Sequence, residues 1–111
     1  MKTIITLLFI LSVSCISAQT YSKAEYTDEI TNRTRAYLSS ALEQSTSLSF
    51  TEILMVAADT RSTNAYVIKA KAAVRYHNDV WLAVFAHIKA TTYPTQLNPQ
   101  DYVNAIVPPT F

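Results

Sequence analysis

Residues 66–89, YVIKAKAAVRYHNDVWLAVFAHIK, decide the fold prediction because their apolar and polar side chains alternate. In the first half of this stretch, every second residue from Tyr66 is apolar or small, and the charges of Lys69, Lys71 and Arg75 fall on the intervening positions. A helix turns by about 100° per residue, so Lys69 and Lys71 would lie roughly 200° apart and one lysine would enter a buried face. The alternation therefore predicts a β-strand, which keeps both lysines in water.

A second strand is predicted directly after this one. Residues 76–79, Tyr-His-Asn-Asp, are typical of turns. The apolar alternation then resumes from Val80 to Ile88, with Leu82 and Val84 on the same face. The two strands together predict a β-hairpin.

A third apolar run, residues 50–58, precedes the hairpin and ends at the polar residues 59–64. It alternates well enough to favour a strand. Ser49 and Glu52 nevertheless have the spacing of a helix capping box, and Leu48 with Ile53 would form its hydrophobic staple. A short helix is therefore the alternative.

The C-terminal part is open to two interpretations. Residues 102–107 alternate and favour an edge strand, which Pro108 and Pro109 would end. Asn98 followed by Pro99 could instead cap a short helix.

One long helix is predicted to begin at Ser22, which has capping-box spacing to Glu25. Apolar residues then recur at spacings of three and four and form a single stripe. The stripe contains Tyr26, Ile30, Thr34, Tyr37, Leu38, Ala41 and Leu42.

The expected fold class is therefore α+β, with one long helix packed across an antiparallel β-sheet of about four strands. The helix stripe would cover the inner face of the sheet. That face would carry Tyr66, Ile68, Val74, Leu82 and Val84.

The N-terminal residues 1–18 have the layout of a secretory signal peptide: Lys2, a short apolar core, and small residues before Ala18. The apolar core is about half of the ~20 residues that a membrane span needs. A lipoprotein site at Cys15 is the alternative, but Ser12 stands where that site prefers leucine. The sequence thus predicts a secreted, extracellular protein with a single domain over residues 19–111 and no membrane contact after cleavage.

The composition of the chain argues against several classes of function. Without Lys2 the formal charge is zero and no basic run occurs, so nucleic acid is not an expected partner. Cys15 is the sole cysteine and would leave with the signal peptide. The chain has no glycine, which removes the phosphate-binding loops and nucleophile elbows of many enzymes. We expect neither an enzyme nor a cofactor.

The predicted order of helix, strand, loop, strand, turn, strand and edge strand resembles the cystatins, which inhibit papain-like cysteine proteases. The resemblance is best over residues 53–70, where an apolar strand, a five-residue connector and Tyr66-Val67-Ile68 align with the central hairpin of that family. Leu82-Ala83-Val84-Phe85 is similar to the next strand. The chain is most similar to the stefin type, which lacks disulfides.

The resemblance implies two protease-binding loops, but their motifs are degenerate. The first loop would be Asp59, Thr60, Arg61, Ser62 and Thr63, with Asp59, Arg61 and Thr63 in place of the glutamine, valine and glycine of inhibitory members. Tyr93 and Pro94 would form the second. Burying the charges of Asp59 and Arg61 in a protease cleft would cost several kcal/mol, so we expect weak inhibition or none.

Other candidate sites follow from single residues. Asn32 begins the sequon Asn-Arg-Thr and is a candidate glycosylation site. His77 and His87 are the two histidines, and no spacing links them into a metal site. Trp81 and Phe85, with Ile53 and Met55, would lie on the sheet face away from the helix, either under the C-terminal segment or as a partner-binding patch.

Three functions follow as hypotheses. The first is a secreted cystatin-like protein that binds a cysteine protease or another protein. The second is a non-inhibitory binding domain on the same scaffold. The third is an all-helical secreted ligand carrier, which a high helix content would favour.

Overall fold

The computed structural model describes residues 19–61 and 63–111, and this part of the chain is all-helical. It contains the four helices α1 (Lys23–Thr46), α2 (Phe50–Ala57), α3 (Ala65–Ala90) and α4 (Pro99–Asn104). Within it, the only strand-like pairing is one antiparallel bridge between Tyr21 and Thr95. The predicted α+β fold with a four-stranded sheet is therefore wrong. The predicted signal peptide lies outside the described residues.

Helix α1 begins and packs as its sequence predicts. The Ser22 hydroxyl accepts a hydrogen bond from the Glu25 backbone, and the Glu25 carboxylate accepts one from the Ser22 N–H in return. The buried residues of the helix are the core of the predicted stripe: Tyr26, Ile30, Thr34, Leu38 and Leu42.

Residues 50–58 form helix α2 rather than a strand, so the alternative interpretation is the right one. Ser49 and Glu52 make a second complete capping box. Between the two helices, Ser47 ends α1 in the left-handed conformation at φ 62°. This cap ends α1, and α2 then packs on α3 through Ile53, Ala70 and Ala73.

The predicted hairpin is one continuous 26-residue helix, α3. Its buried positions are spaced by three and then four: Val67, Ala70 and Ala73, followed by Val80, Val84 and Ile88. Tyr66, Ile68 and Leu82, which were predicted to face the core, are 78%, 54% and 66% exposed. The argument from the lysines fails because the buried stripe is narrow. Lys69 and Lys71 lie about 100° to either side of Ala70, and both reach water.

Helix α4 replaces the predicted edge strand at 102–107. The Asn98 side chain accepts from the backbone N–H of Gln100, and Pro99 occupies the first turn, where its missing N–H is not needed. The Gln100 side chain in turn accepts a hydrogen bond of 2.8 Å from Arg33 on α1. This bond helps to fix α4 against α1.

Two groups of buried side chains hold the helices together, and α1 and α3 contribute to both. The large cluster joins α1, α3 and α4 through Tyr21, Tyr26, Ile30, Leu38, Val80, Val84, Ile88 and Val103. The small cluster joins α1, α2 and α3 through Leu42, Ile53, Ala70 and Ala73. Among the described helices, none combines the length and apolar character needed to cross a bilayer.

Candidate ligand-binding groove

The C-terminal segment 107–111 runs beside α3 and is held there by Tyr76. The Tyr76 hydroxyl donates a hydrogen bond of 2.7 Å to the Val107 carbonyl, so the 3.0 Å bond between the two tyrosine hydroxyls has Tyr37 as its donor. The Phe111 ring meets the Tyr76 ring edge-on, with centroids 6.1 Å apart. Burial raises the pKa of Tyr76 well above its usual range. Tyr76 therefore stays neutral and keeps its proton for the Val107 carbonyl.

A groove of about 630 Å³ lies between this segment and α3. We call it the C-terminal groove. Its α3 wall carries Ile68, Lys71, Ala72, Arg75, Tyr76 and Asp79. Its opposite wall is the segment itself, in which the side chains of Val107, Pro109 and Phe111 are apolar.

A second cavity of about 300 Å³ adjoins the groove, and we call it the apolar chamber. The two share Tyr76, Asp79 and Val107 in their walls, so they lie side by side along α3. Beyond the shared residues, the walls of the chamber are Val80, Ala83, Tyr102, Ala105 and Ile106. Cavities of this size and character are typical of small-ligand sites.

The basic residues of the groove are separated from its acidic residue along α3. Lys71 and Arg75 are four positions apart, so they lie on the same side of the helix. Within residues 19–61 and 63–111, the ion pairs are Arg33 with Glu29 and Arg61 with Asp59, and neither Lys71 nor Arg75 is in one. Asp79 lies a turn further on, at the junction with the chamber.

A smaller groove of about 330 Å³ lies between α1 and α3, on a row of aromatic side chains. Phe50 stacks on His77 at 4.0 Å, and Trp81 stacks on Phe85 at 5.6 Å. The nitrogens of His77 and Trp81 already have partners: His77 Nε2 accepts from Trp81 Nε1 at 3.2 Å, which places the ring proton of His77 on Nδ1, facing the Asn78 side-chain oxygen Oδ1 at 3.3 Å. This groove therefore offers a ligand fewer unpaired polar groups than the C-terminal groove does.

Trp81 and Phe85 are absent from the groove beneath the C-terminal segment, and a partner-binding patch at these residues stays a prediction. The C-terminal segment covers Tyr76, not Trp81, and Met55 is 72% exposed on α2. Ile53, which was grouped with them, is fully buried in the small cluster.

His87 belongs to the packing of the large cluster. Its Nε2 lies 2.7 Å from the Tyr26 hydroxyl, and its ring stacks on Tyr102 with centroids 4.2 Å apart. Burial lowers the pKa of His87 and raises that of Tyr26, so the tyrosine hydroxyl donates to a neutral imidazole. In the described part of the chain, no three His, Cys, Asp or Glu side chains gather in a way that could hold a metal ion.

The predicted first protease-binding loop connects α2 to α3 instead of two strands. Asp59 and Arg61 bind each other there, through Nε at 3.0 Å and Nη2 at 2.6 Å. These hydrogen bonds from Arg61 lower the pKa of Asp59 to about 2. Thr60 and Thr63 are exposed, and Ser62 lies outside the described residues.

The predicted second loop lies at the other end of α3. Tyr93 packs on Tyr26 and donates a hydrogen bond of 2.8 Å to the Ile88 carbonyl, while Pro94 follows a cis peptide bond and is exposed. A helix of 26 residues is about 39 Å long, so the structure does not bring the two predicted loops together.

Asn32 is exposed on α1, where its side-chain oxygen accepts a hydrogen bond of 3.2 Å from Arg35. A glycan on its nitrogen would point into solvent. Glycosylation at this position stays a prediction.

Comparisons with protein-family models, with curated proteins and with solved structures found no match for this chain. The resemblance to the cystatins therefore rests on the sequence alone, and the fold that it implied is wrong.

Sequence reasoning missed the C-terminal groove because it placed Tyr76 and Asp79 in a turn. The signal was nevertheless present. On a helical period, Ile68, Ala72, Arg75 and Asp79 fall at spacings of three and four and form one side of a helix.

Proposed function

We propose that this chain is a secreted, non-enzymatic carrier that holds a small apolar molecule in the C-terminal groove and the apolar chamber. The observation that carries the proposal is the pair of adjoining cavities along α3, about 630 Å³ and about 300 Å³, with mostly apolar walls. Secretion is inferred from the layout of residues 1–18.

The way in which the groove is closed supports a binding role. One wall is a terminal segment attached by a single side-chain hydrogen bond, from Tyr76 to Val107, and by the contact of Phe111 with Tyr76. Such a wall can adjust to a ligand at low cost, because few contacts have to be broken. Val107 and Phe111 are also 75% and 44% exposed, so a bound apolar molecule would remove them from water.

A protease-binding role draws no comparable support. A wedge made of two neighbouring hairpin loops needs those loops side by side, and Asp59 and Tyr93 flank opposite ends of α3.

Binding of a neutral apolar fluorophore, N-phenyl-1-naphthylamine, to the purified secreted protein tests the carrier proposal. We expect saturable binding with enhanced fluorescence. The double variant Ala72→Phe/Ala83→Phe places one ring in the C-terminal groove and one in the apolar chamber. It should weaken the affinity for the fluorophore by about tenfold or more, equivalent to about 1.4 kcal/mol.

Ala86→Phe is the matched control, because Ala86 is also exposed on α3 but lines neither cavity. It should bind the probe as the wild type does. Absence of saturable binding, or equal binding by the wild type and the double variant with unchanged circular dichroism, would contradict the proposal.

A further inference from the structure

We infer that the ligand is an acidic amphiphile, a single molecule with an anionic head group on an apolar chain, and that Lys71 and Arg75 bind the head group. This inference rests on the proposed function and adds the chemical class of the ligand. It comes from the charges at the groove, which the apolar walls alone do not explain.

The two cations are placed where a head group would remain partly in water. Lys71 and Arg75 are exposed, one helical turn apart, and border the C-terminal groove next to Ile68 and Ala72. An anion held between them would be bound by two charge-assisted hydrogen-bond donors, while its partial exposure would keep the desolvation cost small.

The acidic side chains nearest to this pair do not neutralise it. The Asp59 carboxylate is influenced by the charge of Lys71, but it is bound by the Arg61 guanidinium through both of its oxygens. Asp79 follows Arg75 by one turn but forms no ion pair with it. The charged side chains that line the groove are thus two basic and one acidic, and along α3 the basic pair lies between Ile68 and Asp79.

The order of the wall residues along α3 determines the orientation of the bound ligand. From Arg75 to Ala83 the helix rises by about 12 Å, past Tyr76 and into the apolar chamber. A medium-length alkyl chain has this reach. The head group would therefore lie at Lys71 and Arg75, and the chain would pass Tyr76 and end near Tyr102 and Ile106.

An anionic head group has two possible sources, a free amphiphile in solution and a phospholipid in a membrane. The structure favours the free molecule, because the groove offers a head group two cations, Lys71 and Arg75, beside the apolar residues of the C-terminal segment. A membrane surface would need a wider basic face, and Asp79 interrupts this one.

Displacement of the bound fluorophore by dodecanoate, below its micelle concentration, tests the inference against the uncharged dodecanol. The wild type should prefer dodecanoate by about tenfold or more. Lys71→Gln/Arg75→Gln should abolish that preference and leave the affinity for dodecanol unchanged. Lys69→Gln/Lys89→Gln is the control, since it removes two exposed positive charges from α3 outside the groove.

Other results of the displacement experiment would each overturn a stated claim. Equal displacement by dodecanoate and dodecanol, or the same loss in both charge variants, would overturn the acidic-amphiphile inference while leaving the carrier proposal standing. Failure of the fluorophore itself to bind would overturn the carrier proposal and the inference with it. Binding to vesicles of anionic phospholipid without binding to dodecanoate would assign Lys71 and Arg75 to a membrane surface and overturn the inference.

A change of Trp81 fluorescence identifies a ligand that binds in the groove between α1 and α3 instead of the C-terminal groove. Trp81 is the single tryptophan of the chain and lines the groove between α1 and α3, not the C-terminal groove. Strong quenching of Trp81 by dodecanoate that persists in Lys71→Gln/Arg75→Gln would place the ligand on the aromatic row and overturn the inference.

Discussion

The two ends of α3 are held in different ways. Toward its C-terminus the helix packs in the large cluster, where aromatic rings also exchange hydrogen bonds, as between Tyr26 and His87. Toward its N-terminus it packs in the small cluster, where Ala70 and Ala73 allow the eight-residue α2 to approach closely. The first end therefore combines apolar packing with directional hydrogen bonds, whereas the second depends on the close packing of small side chains.

The largest expected effect comes from cavities in the two clusters. Ile30→Ala and Ile53→Ala each remove a fully buried side chain, and each should lower the free energy of unfolding by about 2–5 kcal/mol. Amide hydrogen exchange separates the two: Ile53→Ala should accelerate exchange mainly in α2, whereas Ile30→Ala should accelerate it throughout the chain. Equal acceleration everywhere in both variants would contradict the comparison.

Leu82→Ala is the control for these cavities. The strand interpretation placed Leu82 in the core, but the side chain is 66% exposed, so the change in stability should stay within about 0.5 kcal/mol.

Loss of one hydroxyl should weaken the large cluster by a smaller amount. Tyr26→Phe keeps the ring but removes the donor to His87, and we expect a cost of about 0.5–1.5 kcal/mol in urea unfolding. Tyr66→Phe is the matched change on an exposed tyrosine and should cost almost nothing. A similar cost for both variants would show that the hydrogen bond contributes nothing.

Low pH should destabilise the C-terminal end of α3, where His87 lies. Burial lowers the pKa of His87 in the folded chain, so below the ordinary histidine value of about 6.5 the unfolded chain binds more protons. The contribution of His87 is therefore complete above about pH 6.5 and is lost as the pH falls toward its lowered pKa. Urea midpoints measured from pH 7.5 to 5 should decrease in the wild type and decrease less in His87→Gln. Identical pH profiles would contradict this assignment.

The smallest effect is expected at the turn that leads into α2. Ser47 adopts a left-handed conformation that costs a residue with a Cβ about 1–2 kcal/mol, and glycine avoids most of that cost. Because glycine also loses more entropy on folding, Ser47→Gly should raise stability by only about 0.5 kcal/mol. Ser49→Gly serves as the contrast, since it removes a helix cap and should lower stability. A loss of stability in Ser47→Gly would show that the turn needs the serine side chain.

The sequence predicted α1 well and α3 badly, for a physical reason. The α1 stripe contains large residues such as Ile30 and Leu38 between polar ones, so its helical period is unambiguous. The buried stripe of α3 begins with Val67, Ala70 and Ala73, and other alanines flank it. Alanine fits a buried or an exposed position, so two periods described the same residues equally well.

The short helices show a second limit of sequence reasoning. Ser49 and Asn98 both appeared as possible caps, and both act as caps in the structure. Strands were preferred there because the apolar residues of a short segment alternate almost as well as they follow a helical period. The helical period of Ile68, Ala72, Arg75 and Asp79 could have predicted one wall of the C-terminal groove, but no local pattern specifies the placement of segment 107–111 against α3.

The exposed connector between α2 and α3 divides the chain into two complementary fragments. Each cluster takes side chains from both sides of that connector, Ile30 and Val84 in one case and Leu42 and Ala73 in the other. Tryptic cleavage after Arg61, which is exposed, should therefore leave a noncovalent complex that elutes as one species on size exclusion and dissociates on dilution. Fragments that elute separately at high concentration would show that continuity of the backbone, and not the shared core, holds α2 to α3. Cleavage at this connector would keep both walls of the C-terminal groove in one fragment, because α3 and segment 107–111 both follow it in the chain.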